Sequence, residues 1–106
     1  MRKISILFLL FNSLFLLAQE QQMAHEYFRK GEYEKSASIY KDLYEQNNFN
    51  SNYLNRLIDC YQQLENFDIT QELIENHIKK YPKQTHFLIE LGYNYQLQHE
   101  QEKATS

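Results

Sequence analysis

The sequence predicts an all-α protein, with antiparallel helix-turn-helix hairpins stacked as an α-solenoid. Tyr27, Tyr61 and Tyr95 are spaced 34 residues apart, twice in succession. Other columns keep the same phase: Ala24, Ile58 and Gly92; the small residues Ser36, Thr70 and Ala104; and Tyr40 with Ile74. Apolar residues recur at helical spacing throughout, no strand-like alternation occurs, and the chain holds only two glycines and one proline. A fixed period of this length marks a repeated helical hairpin. Such hairpins stack into an open superhelix whose concave face binds polypeptides. About two and a half units fit, over residues 19–50, 51–84 and 85–106, the last truncated.

Residues 1–18 stand outside the repeats. Arg2 and Lys3 give a positive start, Ile4–Leu17 is apolar apart from Ser5, Asn12 and Ser13, and Ala18 precedes polar Gln19 and Glu20. This is the layout of a secretory signal peptide. The apolar run is shorter than the roughly 20 residues that span a bilayer as a helix. No Cys follows it, which argues against a lipid anchor. A buried N-terminal helix and an uncleaved membrane anchor stay open as alternatives.

The remaining chain reads as five helices and the start of a sixth. Met23, Ala24, Tyr27 and Phe28 form the apolar face of a first helix, from about Glu20 to Lys30, and Gly31 supplies its turn. A second, from about Glu32 to Gln46, turns Tyr33, Ser36, Ile39, Tyr40, Leu43 and Tyr44 inward until Asn47-Asn48-Phe49-Asn50 breaks it. A third, over about Ser51–Leu64, carries the clearest stripe: Leu54, Leu57, Ile58, Tyr61 and Leu64. Asn66 is the expected side-chain cap of a fourth helix. Asp68 in its first turn and Lys79 and Lys80 in its last suit the helix dipole. Ile69, Leu73, Ile74 and Ile78 face inward, and Pro82 stops the helix. A fifth, over about Gln84–Gln98, rests on Phe87, Leu88, Leu91, Gly92 and Tyr95, and Ala104 falls on the start of a sixth. The small columns follow from close approach of helix axes, which leaves no room for bulk on both sides.

With these residues in view, the chain resembles the tetratricopeptide-repeat family. The third unit matches that family's pattern with Leu91, Gly92, Tyr95 and Ala104. The second offers Leu57, Ile58, Tyr61, Thr70 and Pro82, and the first Met23, Ala24, Tyr27, Gly31, Ser36, Tyr40 and Leu43. Ile58 is bulky where Gly or Ala is usual, and Glu65 and His99 stand at the turn glycine. Asn48 replaces the proline, and Trp is absent. The resemblance implies that first helices line a concave partner-binding face. Carried over residue by residue, that face takes Gln21, His25 and Phe28; then Asn52, Asn55, Asp59 and Gln62; then His86, Ile89, Tyr93 and Gln96. Amides pair with the backbone of an extended peptide, and aromatics give contact area at low entropic cost; the alternative is that these are solvated side chains. Some family members grip a C-terminal carboxylate with Lys, Arg and Asn. The matching positions here are Gln21, His25, Arg56, His86 and Glu90, and Glu90 would repel a carboxylate. No such clamp is expected.

Removing residues 1–18 lowers the 11 basic residues to nine against 14 acidic ones, a balance of −5. That argues against nucleic acid or anionic lipid as a partner. No catalytic, cofactor or metal motif is found. His25, His77, His86 and His99 show no metal-ligand spacing, and His77 reads as a packed core residue. Cys60, the sole cysteine, reads as a small buried apolar residue. Chemistry within these residues is not expected. The expected function is an exported scaffold of the bacterial periplasm or cell envelope that holds a partner polypeptide in the concave face. A second hypothesis is the periplasmic sensory front of a membrane signal-transduction protein such as a histidine kinase, and a third the non-catalytic front of an envelope enzyme. The short third unit suggests a piece of a longer protein, or an uncapped edge that a partner or a second copy covers.

Overall fold

The computed structural model describes residues 2–105, with side chains from residue 6 onward. The side chains of Arg2 and Lys3, the positive start read above, lie outside the described ones, as does Ser106. Among the described residues the architecture is all-α: α1 (Arg2–Arg29), α2 (Tyr33–Gln46), α3 (Ser51–Gln63), α4 (Phe67–Lys80) and α5 (His86–Thr105). Each helix packs against the next in sequence. The molecule is long and thin, 67 × 33 × 15 Å.

Backbone chemistry explains the helix ends. After α1, the N–H of Gly31 bonds Phe28 O at 3.0 Å and that of Glu32 bonds Tyr27 O at 2.9 Å. After α3, the N–H of Glu65 bonds Gln62 O at 3.0 Å and that of Asn66 bonds Tyr61 O at 2.8 Å. Both are Schellman closures, which need a left-handed residue just past the helix. Gly31 supplies it at φ 79°, and Glu65 at φ 59°. Glu65 thus takes the backbone geometry of the glycine it replaces. Tyr27 and Tyr61 hold equivalent places in these two closures, each supplying the carbonyl that accepts the outer bond. At the α2–α3 turn, Asn50 Oδ1 accepts from Asn52 N at 3.0 Å. Asn66 occupies the N-cap of α4 but makes no side-chain cap, contrary to expectation; its carbonyl instead accepts from Thr70 Oγ1 at 2.8 Å.

Two apolar clusters hold the helices. Ala24, Ala37, Tyr40, Leu43, Tyr53, Leu57 and Cys60 join α1, α2 and α3. Leu54, Ile58, Ile74 and Phe87 join α3, α4 and α5. Tyr44 and Leu73 border both. In the first two units these columns are buried where the helices meet: Ser36 Oγ donates to Ala24 O at 2.8 Å, and Ile58 and Thr70 are both enclosed. Cys60 is fully buried and its thiol is pushed up by burial, so it is held protonated at neutral pH.

Two expectations are corrected. The first helix does not begin near Glu20. It is continuous from Arg2, because no Gly or Pro interrupts residues 2–30. Its apolar residues from Ile6 to Leu16 are exposed, and Leu17 is the first to touch the core. No described helix is long and apolar enough to cross a membrane. The second correction concerns the third unit. His99 does not turn the chain, and no sixth helix starts. α5 runs straight to Thr105, and Ala104 is exposed on it. His99 lacks glycine's conformational freedom, and Gln98 and Gln101 on either side of it hold the straight course through bonds to Asp68 and Glu65. Leu88, Gly92 and Tyr95 are consequently exposed, as are Met23 and Ile69, all of which the sequence places inward.

His77 anchors the junction of α4, α2 and the α4–α5 loop. It is 2% exposed. Its Nδ1 pairs with Tyr44 Oη at 2.7 Å and its Nε2 with Gln84 Oε1 at 2.8 Å. The Phe87 and Tyr81 rings lie 4.7 Å and 5.0 Å from its own. Burial holds its pKa below the ordinary 6.5; nearby His86 and Lys80 act in the same direction, against the bond to Gln84. The unfolded chain therefore takes up this proton first. Stability is full above about pH 6.5 and falls as the pH drops from there towards the depressed folded value. Denaturant midpoints at pH 7.5 and 5.5 should show this loss, and His77→Gln should flatten the slope. An unchanged slope in the variant would remove His77 as its source.

Candidate functional site

A groove of about 870 Å³ runs across the molecule. Phe28 of α1, then Arg56, Asp59, Gln62 and Gln63 of α3, form one side. Glu65 and Phe67 close the end, and Tyr93, Leu97, Glu100, Gln101, Ala104 and Thr105 of α5 form the other side. Helical periodicity explains the α5 wall, since Tyr93, Leu97, Glu100 and Ala104 repeat at intervals of three or four. Beside it lies a second hollow of about 490 Å³, bounded by Gln21, Tyr40, Asn50, Asn52, Tyr53 and Asn55, with Arg56 and Asp59 shared between the two. Gln21 Nε2 donates to Tyr53 Oη at 2.5 Å across its floor.

Four of the eleven sequence-derived groove residues meet in the larger groove: Phe28, Asp59, Gln62 and Tyr93. Gln21, Asn52 and Asn55 fall in the adjoining hollow. His25, His86, Ile89 and Gln96 are exposed and line neither. For His86 and Ile89 the reason is the unbroken course of α5: the groove is built on Tyr93 and the turns after it, and residues near the helix start are left outside. Gln98 Nε2 donates to Asp68 Oδ1 at 2.9 Å and Gln101 Nε2 to Glu65 Oε2 at 3.1 Å, tying this extension to the first turn of α4 and to the α3–α4 turn.

Asn94 is the residue the sequence reading missed. It is fully buried. Its Nδ2 donates to Phe67 O at 3.0 Å and its Oδ1 accepts from Gln62 Nε2 at 3.3 Å. One amide thus fixes α5 against α4 and orients a groove side chain of α3. The available signal was its phase: Asn94 lies one period after Cys60, a seam position.

The groove's charge is uneven. Arg56 is its one cation among the described lining residues, against Asp59, Glu65 and Glu100. The Arg56 guanidinium lies 4.9 Å from the centre of the Phe28 ring. Burial, with Glu90 adding to it, raises the Asp59 pKa above the ordinary value; Arg56 opposes this. Among the described residues Asp59 makes no hydrogen bond and no ion pair within 4.0 Å. No group of three His, Cys, Asp or Glu side chains is placed to hold a metal ion among them either.

Comparison with known proteins returns nothing further: no family profile, curated protein or solved structure matches this chain.

Proposed function

We propose that this chain is an exported, tetratricopeptide-like interaction scaffold that binds a partner polypeptide along the groove. The observation that carries this reading is the convergence of Phe28, Asp59, Gln62 and Tyr93, from three separate helices, on one open groove. Its lining mixes aromatic faces, amides and a few charges, the chemistry that recognises an extended backbone and its side chains. Its openness suits a chain better than a small metabolite, which takes an enclosed and mainly apolar pocket. Export rests on residues 1–18: a basic start, a short apolar run, and apolar side chains left outside the core. The periplasm or cell envelope is the compartment this implies.

Site-specific photocrosslinking in cells tests the reading. A photoreactive amino acid at Gln62 or Tyr93 should give a discrete polypeptide adduct. The same probe at exposed Ser38 of α2 should not. The Gln62 adduct should fade at least severalfold in a Phe28→Ala background. Equal labelling from Ser38, or an adduct indifferent to Phe28, would count against the groove.

A further inference from the structure

We propose that the groove selects a basic partner, an extended segment whose lysine or arginine side chain lies along the aromatic lining and places its cation on Asp59. This rests on the reading of the groove as a polypeptide site and adds the charge of the occupant.

The argument begins with Asp59. Its carboxyl is half-buried at the place where the groove and the smaller hollow meet. It has no hydrogen-bond or ion-pair partner among the described residues. The Asp59 carboxylate still touches solvent but is partly withdrawn from it without a protein donor, and an incoming cation relieves that partial penalty. Arg56 supplies only part of this relief, acting at a distance and without an ion pair. It stands three residues earlier on the same helix, and its guanidinium sits against the Phe28 ring instead. The far wall and the turn add Glu65 and Glu100, so the lining carries three carboxylates to one guanidinium. Glu90 reinforces the negative field at Asp59.

Shape supports the same occupant. Lysine and arginine bury an aliphatic stem against apolar surface while the charged end seeks a polar partner. Tyr93 and Leu97 offer such a surface in the groove that holds Asp59. An acidic segment would meet three like charges and gain one cation. Charge complementarity of this kind acts on selectivity and association rate, and salt weakens it.

The test uses the full 106-residue chain, held in mild detergent and immobilised, against a displayed library of random twelve-residue peptides. Sequencing of the retained pool should show lysine and arginine enriched over aspartate and glutamate. The best retained peptide is then made with a fluorophore, alongside a copy with its basic residues changed to glutamine. Binding of the basic peptide should weaken about tenfold on Asp59→Asn, and by a similar factor on the glutamine change. Because Asp59→Asn removes a half-buried charge that makes no hydrogen bond or ion pair within 4.0 Å among the described residues, the variant should melt no lower than the parent. Glu100→Gln, on the exposed wall, should weaken binding severalfold and gives a second reading independent of α3. Retained peptides that are neutral or acidic, and that depend on Tyr93 but not on Asp59, would overturn the charge assignment while leaving the polypeptide groove in place. A folded protein that retains no peptide above bare resin would overturn both.

Discussion

Replacing Phe87 with alanine will release α5 while α1, α2 and α3 stay folded. Phe87 is fully buried and is the largest side chain so enclosed. It closes the cluster of Leu54, Ile58 and Ile74, and meets the His77 ring edge-on at 4.7 Å. Truncating such a phenylalanine costs about 3–5 kcal/mol, a large part of the stability of a small domain. The loss is local because the other cluster, from Ala24 to Cys60, does not include it. Asn94, which depends on α5 staying docked, loses its bonds to Phe67 and Gln62 at the same time. Hydrogen exchange should show protection lost across α5 and the end of α4 while α2 and α3 keep theirs. Uniform loss along the chain would mean that the two clusters fold as one cooperative unit.

Ala24 and Gly92 share a repeat column yet should respond oppositely to added bulk. Ala24 is fully buried against α2, and Ser36 bonds its carbonyl at 2.8 Å. A leucine there forces the helices apart and breaks that bond, at about 1–3 kcal/mol for overpacking and roughly 1 kcal/mol more for the hydrogen bond. At Gly92 an added Cβ meets nothing within 4 Å. Gly92→Ala removes a flexible residue from a helix interior and should stabilise by about 0.5–1 kcal/mol. Thermal melts of the two variants should therefore move in opposite directions. A comparable loss from Gly92→Ala would show that the face bearing Leu88, Gly92 and Tyr95 is covered in the working protein. Self-association through that edge would then be examined by sizing the parent and variant together.

The pairing of these two positions shows how far sequence reading reached. The 34-residue phase located the α1 and α3 ends at Gly31 and Glu65 and placed Ser36 and Thr70 in the core. The family resemblance, not the phase, pointed to Phe28, Asp59, Gln62 and Tyr93, which line one groove. Extending the same phase into the last 20 residues failed. There Gly92 stands open, Ala104 lines a groove wall instead of a second helix, and Ile89 and His86 face solvent. Phase records which residues are alike. It does not say whether a neighbour is present to make that likeness useful.

Local chemistry in the sequence determined the helical class, the breaks at Gly31, Asn47–Asn50 and Pro82, and the stripes that pack. These depend on backbone freedom and on periodic apolar contacts, both encoded within a few residues. Tertiary packing alone decided that α5 runs on, that Asn94 is buried between α4 and α3, and that Asp59 is left in a groove without a partner. Each of those outcomes turns on side chains some thirty residues apart meeting in space. Their energies exist only once the helices have docked.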